Sequence, residues 1–268
     1  MKNTVIKETV KDTDIFKTLK RGSSAKTKGD HIMKAREKFW KSIVGVFMAT
    51  LLLIAAPTSG SAAFSHFTVI SPNDAEARTE MTYAQLSVKW WQYILETPAE
   101  NNPAADPTGA NCQLGQSGSV FFLVSTSGGT ATRDQCVVPA GKFLFFPLLT
   151  SVSYQEMTDT RSEQGARSSI QGFLNSAKVL QATIDGEEVN ISLNPKTTPL
   201  RTRSPAGFFT ITAPENNIFG GIPGLSYNAV SDGFYLMVAP LPPGMHTITF
   251  GGSSRNFESY VTYNLIVE

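Results

Sequence analysis

The stretch Leu180 to Leu193 constrains the fold more than any other part of this 268-residue chain. Leu180, Ala182 and Ile184 alternate with polar residues. Asp185-Gly186 follows, and Val189, Ile191 and Leu193 alternate on the way back. Asp-Gly between two alternating segments predicts a β-hairpin, because a type I′ turn needs positive φ at both central positions. Period-two alternation also predicts one buried and one solvated face.

The same grammar runs through most of the chain after residue 118. Val120-Phe121-Phe122-Leu123-Val124 and Phe143-Leu144-Phe145-Phe146 are continuous apolar runs, which predict strands buried on both faces. Phe208 to Thr212, Gly233 to Ala239, His246 to Phe250 and Tyr260 to Val267 complete the set. Turn residues such as Pro139-Ala140-Gly141-Lys142 and Pro242-Pro243-Gly244 lie between them. About eight strands with turns between them predict a mainly β fold, a sandwich or a barrel. An antiparallel β-sandwich, immunoglobulin-like in part, is the expected architecture. Asn101 to Gly118 and Pro214 to Asn228 read as long loops.

Two helices interrupt the pattern. Thr82-Tyr83-Ala84-Gln85 is a capping box, with Met81 and Leu86 placed as its hydrophobic staple. Leu86, Trp90 and Ile94 make an apolar stripe, so an amphipathic helix spans about Tyr83 to Glu96 before Pro98. Ile170, Phe173, Leu174 and Ala177 recur at i, i+3, i+4 and i+7 and mark a second, short helix.

Ahead of this domain lies the uncharged apolar run Ser42 to Ala56. It is shorter than the roughly 20 residues a membrane span needs, and it fits the h-region of a secretory signal. Lys34, Arg36, Lys38 and Lys41 precede it, and small residues set up a cut after Ala63. Residues 1–63 therefore read as a signal region, and 64–268 as one extracytoplasmic β-rich domain, periplasmic or secreted. A start at Met33 would give the signal ordinary proportions. The alternative is a cytoplasmic extension over residues 1–32. An uncleaved signal would be the domain's only tie to a membrane.

Removing the signal changes the charge. Residues 1–41 hold 12 Lys/Arg against 5 Asp/Glu, and the remainder holds 11 against 17. A domain with that acidic excess is a poor partner for nucleic acid. Cys112 and Cys136 are its two cysteines, and in an oxidising compartment such a pair is expected to bridge. No His or third Cys lies near them to suggest a metal site instead.

Several strings together resemble an uncharacterised family of exported bacterial proteins. They are Trp90-Trp91-Gln92-Tyr93, Asn102-Pro103, Asp106-Pro107-Thr108-Gly109 with Cys112 and Gly115-Gln116, and Cys136-Val137-Val138-Pro139-Ala140-Gly141-Lys142 with Phe145-Phe146-Pro147. Asp185-Gly186, Asp232-Gly233 and Pro240 to Ile248 belong to the same set. The resemblance implies export and a single domain, and it supplies no activity and no catalytic residues. The Pro-Pro-Gly turn feeding a final strand pair looks like the closing hairpin of immunoglobulin-like bacterial modules.

Catalytic patterns are thin. After signal removal the histidines are His66, beside the cleavage point, and His246, in phase with Ile248 and Phe250 and so expected to pack with them. There is no Gly-x-Ser-x-Gly elbow, no metal-ligand spacing and no cofactor loop. Three residues stand out as candidate ligand contacts: Trp90, Trp91 and Asp106. Adjacent helical positions point about 100° apart, so one Trp can be core while the other meets a sugar or a protein. The plainer reading has both anchoring the helix. Asp106 either joins Thr108 and Asn111 around a cation or makes an Asx-turn before Pro107. The expectation is an exported non-catalytic binding or structural domain for a glycan or protein ligand, without a cofactor. The alternative is a secreted carboxylate-dependent hydrolase acting on glycans.

Overall fold

A computed structural model describes residues 67–192, 194 and 198–268. The signal region 1–63, His66 and Leu193 lie outside the described residues. In chain order the strands are β1 (Val69–Ile70), β2 (Val120–Phe122), β3 (Gly129–Arg133), β4 (Val137–Val138), β5 (Phe143–Glu156) and β6 (Ala177–Ile184), then β7 (Glu187–Glu188), β8 (Arg201–Arg203), β9 (Phe209–Thr212), β10 (Ser226–Val238), β11 (Gly244–Ser254) and β12 (Phe257–Val267). The helices are α1 (Ala75–Thr79), α2 (Tyr83–Leu95) and α3 (Glu163–Asn175).

The expected β-sandwich is the architecture found. One sheet runs β1-β10-β5-β2, with β8 and β9 also paired to β10. The other runs β3-β12-β11-β6-β7, with β4 also on β12. The long central pairs, β5–β10 and β11–β12, are antiparallel. The short strands β2, β3 and β4 add in parallel, so the sandwich is not purely antiparallel. Twelve strands appear among the described residues where about eight were expected. The extra ones are two to five residues long, too short to carry a hydrophobic period of their own.

The continuous apolar runs are explained by a third layer. Leu144, Phe146, Phe234 and Leu236 face the second sheet, where Phe250, Tyr263 and Leu265 meet them. Phe146 and Phe250 stack with centroids 4.4 Å apart. Phe145, Tyr235 and Met237 point to the opposite face, which α2 covers with Tyr83, Leu86, Trp90 and Ile94. Each fully buried side chain of this kind contributes about 1.5–3 kcal/mol. Within β5 the register skips Leu148, passing from Leu149 opposite Phe234 to Pro147 opposite Tyr235. This bulge is where a central strand can hold a proline, which has no N–H for the ladder.

Helix α2 starts as predicted. Gln85 N–H donates to Thr82 Oγ1 (3.2 Å), and Thr82 N–H donates back to Gln85 Oε1 (2.8 Å). The Tyr83 hydroxyl donates to Ile70 O (2.8 Å) and accepts from Met237 N–H (2.9 Å), which pins the first turn to β1 and β10. Burial pushes this phenol well above its ordinary pKa. At the other end the Asn102 side-chain amide, itself buried, donates to Ile94 O (2.7 Å) and Thr97 O (2.9 Å). These bonds satisfy carbonyls that a helix C-terminus leaves open.

Three sequence expectations need correction. Helix α3 begins at Glu163, capped by Ser162 Oγ accepting from Gly165 N–H (3.2 Å), a full turn and more upstream of the apolar stripe. Ala177 is not its last apolar residue but the first residue of β6, opposite Ser254. The loop expected to reach Asn228 ends earlier, because β10 starts at Ser226 and pairs there with β9. The Asp185-Gly186 turn has the positive φ values foreseen, 51° and 82°. Its return strand is only two residues long, although Val189 N–H still reaches Ala182 O (2.9 Å).

Candidate functional site

Strand β10 carries Asp232 at the head of an apolar run, and β8 lies antiparallel beside it. The register sets Arg203 opposite Asp232 and Arg201 opposite Phe234. Successive strand residues alternate faces, so Arg201 and Arg203 share one face with Asp232. The Asp232 side chain is 5% exposed. Arg201 grips it with both arms of its fork, Nε to Oδ1 at 3.1 Å and Nη2 to Oδ2 at 2.8 Å. Its Nη1 donates to Asn175 Oδ1 (2.7 Å), at the last residue of α3. A bidentate, charge-assisted pair of this kind is the strong form of ion pair.

Gly233, the next residue, is required by close approach. A Cβ there would lie 2.5 Å from Thr150 Oγ1 and 2.7 Å from Thr150 Cβ. Thr150 Oγ1 is 2.6 Å from the Tyr235 hydroxyl and accepts a 3.3 Å bond from Trp91 Nε1. The Asp-Gly pair therefore works on both sides of the sheet: Asp232 toward α3, Gly233 toward α2.

Helix α3 covers the face on which Asp232 lies, with Ala166 and Ile170 against Val230. Arg167 Nε donates to Glu163 Oε1 one turn back (2.7 Å). Its other arms reach Ser204 Oγ (3.3 Å) and the Pro205 carbonyl (2.6 Å). This Arg167 hydrogen bond holds the Glu163 carboxyl below its ordinary pKa. Between α3 and β8 a concavity of about 360 Å³ remains, at the small end of ligand-pocket sizes. Gln164, Ser168 and Gln171 line it from the helix, and Arg203 and Asp232 from the sheet. Arg203 is 53% exposed and touches Asp232 Oδ2 only at 3.4 Å.

The residues singled out from sequence lie elsewhere. Trp90 is 2% exposed, and its indole N–H donates to Leu123 O (3.0 Å), so it anchors α2 onto the sheet and presents no face to solvent. Trp91 is half-buried, packed edge-on against Trp90 with centroids 5.0 Å apart. Asp106 makes the Asx-turn: Oδ1 accepts from Thr108 N–H (2.8 Å) and Thr108 Oγ1 (2.7 Å), and Oδ2 from Asn111 N–H (2.7 Å). Burial works to raise its pKa, but these bonds outweigh burial and hold it below the ordinary value.

Next to Asp106, Cys112 and Cys136 form the expected disulfide, with Cα atoms 5.6 Å apart. In the chain-entropy account such a loop is worth about 3 kcal/mol. Arg133, 2% exposed, donates to Asp106 O (3.1 Å), to Val124 O and to the Tyr263 hydroxyl. Neither this cluster nor either Trp lines the concavity beside α3. His246 shares the face of Ile248 and Phe250 but is held by polar partners. Nδ1 lies 2.7 Å from Asp185 Oδ2, and Nε2 lies 2.8 Å from Pro242 O.

Sequence reasoning missed Arg167, Arg201, Arg203 and Asp232. The available signal was a carboxylate heading an apolar strand, which needs a counter-charge, and the alternating Arg-Thr-Arg at 201–203. Among the described residues no three His, Cys, Asp or Glu side chains gather to hold a metal ion, and no helix is long and apolar enough to cross a membrane. Comparison with protein-family models, curated proteins and solved structures returns no match.

Proposed function

We propose that this chain is an exported, non-catalytic binding protein that takes a small polar ligand in the concavity beside α3. The observation that carries the reading is Arg203. Its guanidinium opens into the concavity while the neighbouring arginines are spent on protein partners. A recess with one strong donor engaged only through its Nε, at 3.4 Å, has the makings of a recognition site. Export is supported by the Cys112–Cys136 bridge, which belongs to an oxidising compartment, together with the apolar run Ser42 to Ala56.

The hydrolase alternative has two carboxylates to draw on here, Glu163 and Asp232. A glycosidic acid needs a pKa raised toward neutrality. Glu163 is moved the other way by Arg167, and Asp232 is clamped by Arg201. Both are tied as acceptors, which favours binding over chemistry. A glycan-array screen of the exported protein, followed by product analysis of each bound glycan, tests the reading. Binding without cleavage is expected, and released sugar would replace the module with the hydrolase. Mass spectrometry of the same material should match a chain starting near Phe64.

A further inference from the structure

We infer that the concavity beside α3 is a carboxylate site, with Arg203 as its anchoring cation and a sugar acid as the ligand class. This inference rests on the binding reading above and adds the charge and chemistry of the ligand.

Charge accounting carries the first step. Three guanidiniums and two carboxylates meet here. Glu163 is matched by Arg167 at 2.7 Å, and Asp232 by Arg201 at 2.8 Å. One positive charge remains, on the side chain that is 53% exposed. A surplus of one charge neutralises a monoanion. A dianion such as phosphate would leave excess negative charge facing Glu163 and Asp232. The guanidinium fork carries five N–H donors and fits a carboxylate edge-on. The long 3.4 Å contact to Asp232 takes up only Nε.

The second step concerns the rest of the ligand. Gln164, Ser168 and Gln171 recur at i, i+4 and i+7, so α3 presents them as one row. Among the described residues no protein hydrogen bond engages their side chains. A row of amides and a hydroxyl both donates and accepts, which suits a ligand bearing several hydroxyls. No aromatic ring lines the concavity, so a neutral sugar would lack the stacking face such ligands use. A ring carrying hydroxyls and one carboxylate satisfies both the row and Arg203.

The test is calorimetric titration of the exported protein with galacturonate, its methyl ester, neutral galactose, inorganic phosphate and a Glu-rich peptide. Galacturonate, a monoanion, is expected to bind with a Kd of about 1 mM or tighter. Esterification and Arg203→Gln should each weaken it by about tenfold or more, with an unchanged melting temperature. Gln171→Ala should weaken it by about threefold through the lost amide. Equal binding of the ester or of galactose would overturn the carboxylate assignment and leave the binding reading standing. Tighter binding of phosphate would overturn the charge accounting, and tighter binding of the peptide would overturn the sugar part. Failure of all five probes also overturns the inference, whereas failure of the glycan array as well would overturn the binding reading itself.

Discussion

Arg133 and Arg201 are both guanidiniums withdrawn from water, and they are neutralised in opposite ways. Arg133 is surrounded by backbone carbonyls and the Tyr263 phenol, and its Cζ lies 5.2 Å from the Tyr263 ring centroid. Arg201 is matched by one carboxylate, with Asn175 on its spare arm. The first arrangement stitches the disulfide-bearing loop to β3 and β12 and is closed on every side. The second lies under a strand whose next same-face residue, Arg203, faces the open concavity. A buried cation answered by dispersed dipoles builds a wall. One answered by a carboxylate shared with an exposed neighbour leaves a charge for a ligand.

Removing Asp232 is the harshest way to break this comparison. Asp232→Ala strands a buried guanidinium and should cost about 4 kcal/mol in urea denaturation. A loss below about 1 kcal/mol would mean that Arg201 is neutralised by something else. Arg133→Met should cost about 2 kcal/mol, since carbonyls rather than a charge lose their partner. It should leave galacturonate binding unchanged, and loss of binding in a folded Arg133→Met protein would show that the two clusters are coupled.

The mildest change, Asp106→Asn, sharpens the closed side. It keeps one acceptor oxygen and should cost about 1 kcal/mol at neutral pH. Its clearer signature is pH dependence. The folded pKa of Asp106 is depressed, so its contribution is present above the unfolded value of about 3.9 and is lost as pH falls through the folded value. The native protein should therefore lose stability in acid more steeply than Asp106→Asn. Parallel stability curves below pH 4 would contradict the hydrogen-bond account of that loop.

What could be read in the sequence was local. The capping box at Thr82, the type I′ turn at Asp185 and the doubly buried strand at Phe143 each rest on neighbours within a few residues. Pairing Cys112 with Cys136 needed only a count and a compartment. The concavity was not legible in this way, because Asp232, Arg201 and Glu163 come from three segments joined only by the β8–β10 register and the packing of α3. Arg201 to Arg203 has no hydrophobic period, so nothing marked it as a strand. The two Trp residues show the converse limit. Their helical spacing allowed either a split between core and surface or two anchors, and only packing decided that Trp90 is core and Trp91 half-covered.

The strand order has a consequence for the order of assembly. Val69 and Ile70 pair with Val238 and Met237, and β12, the last strand in the chain, is central to its sheet, flanked by β11 and by the parallel β3 and β4. The first sheet cannot close before β10 is complete at Val238, and the second cannot close before β12 is in place. The contact order is correspondingly high, which places such a domain among the slow folders. In a chain emerging N-terminus first, the second sheet thus stays open until β12 arrives.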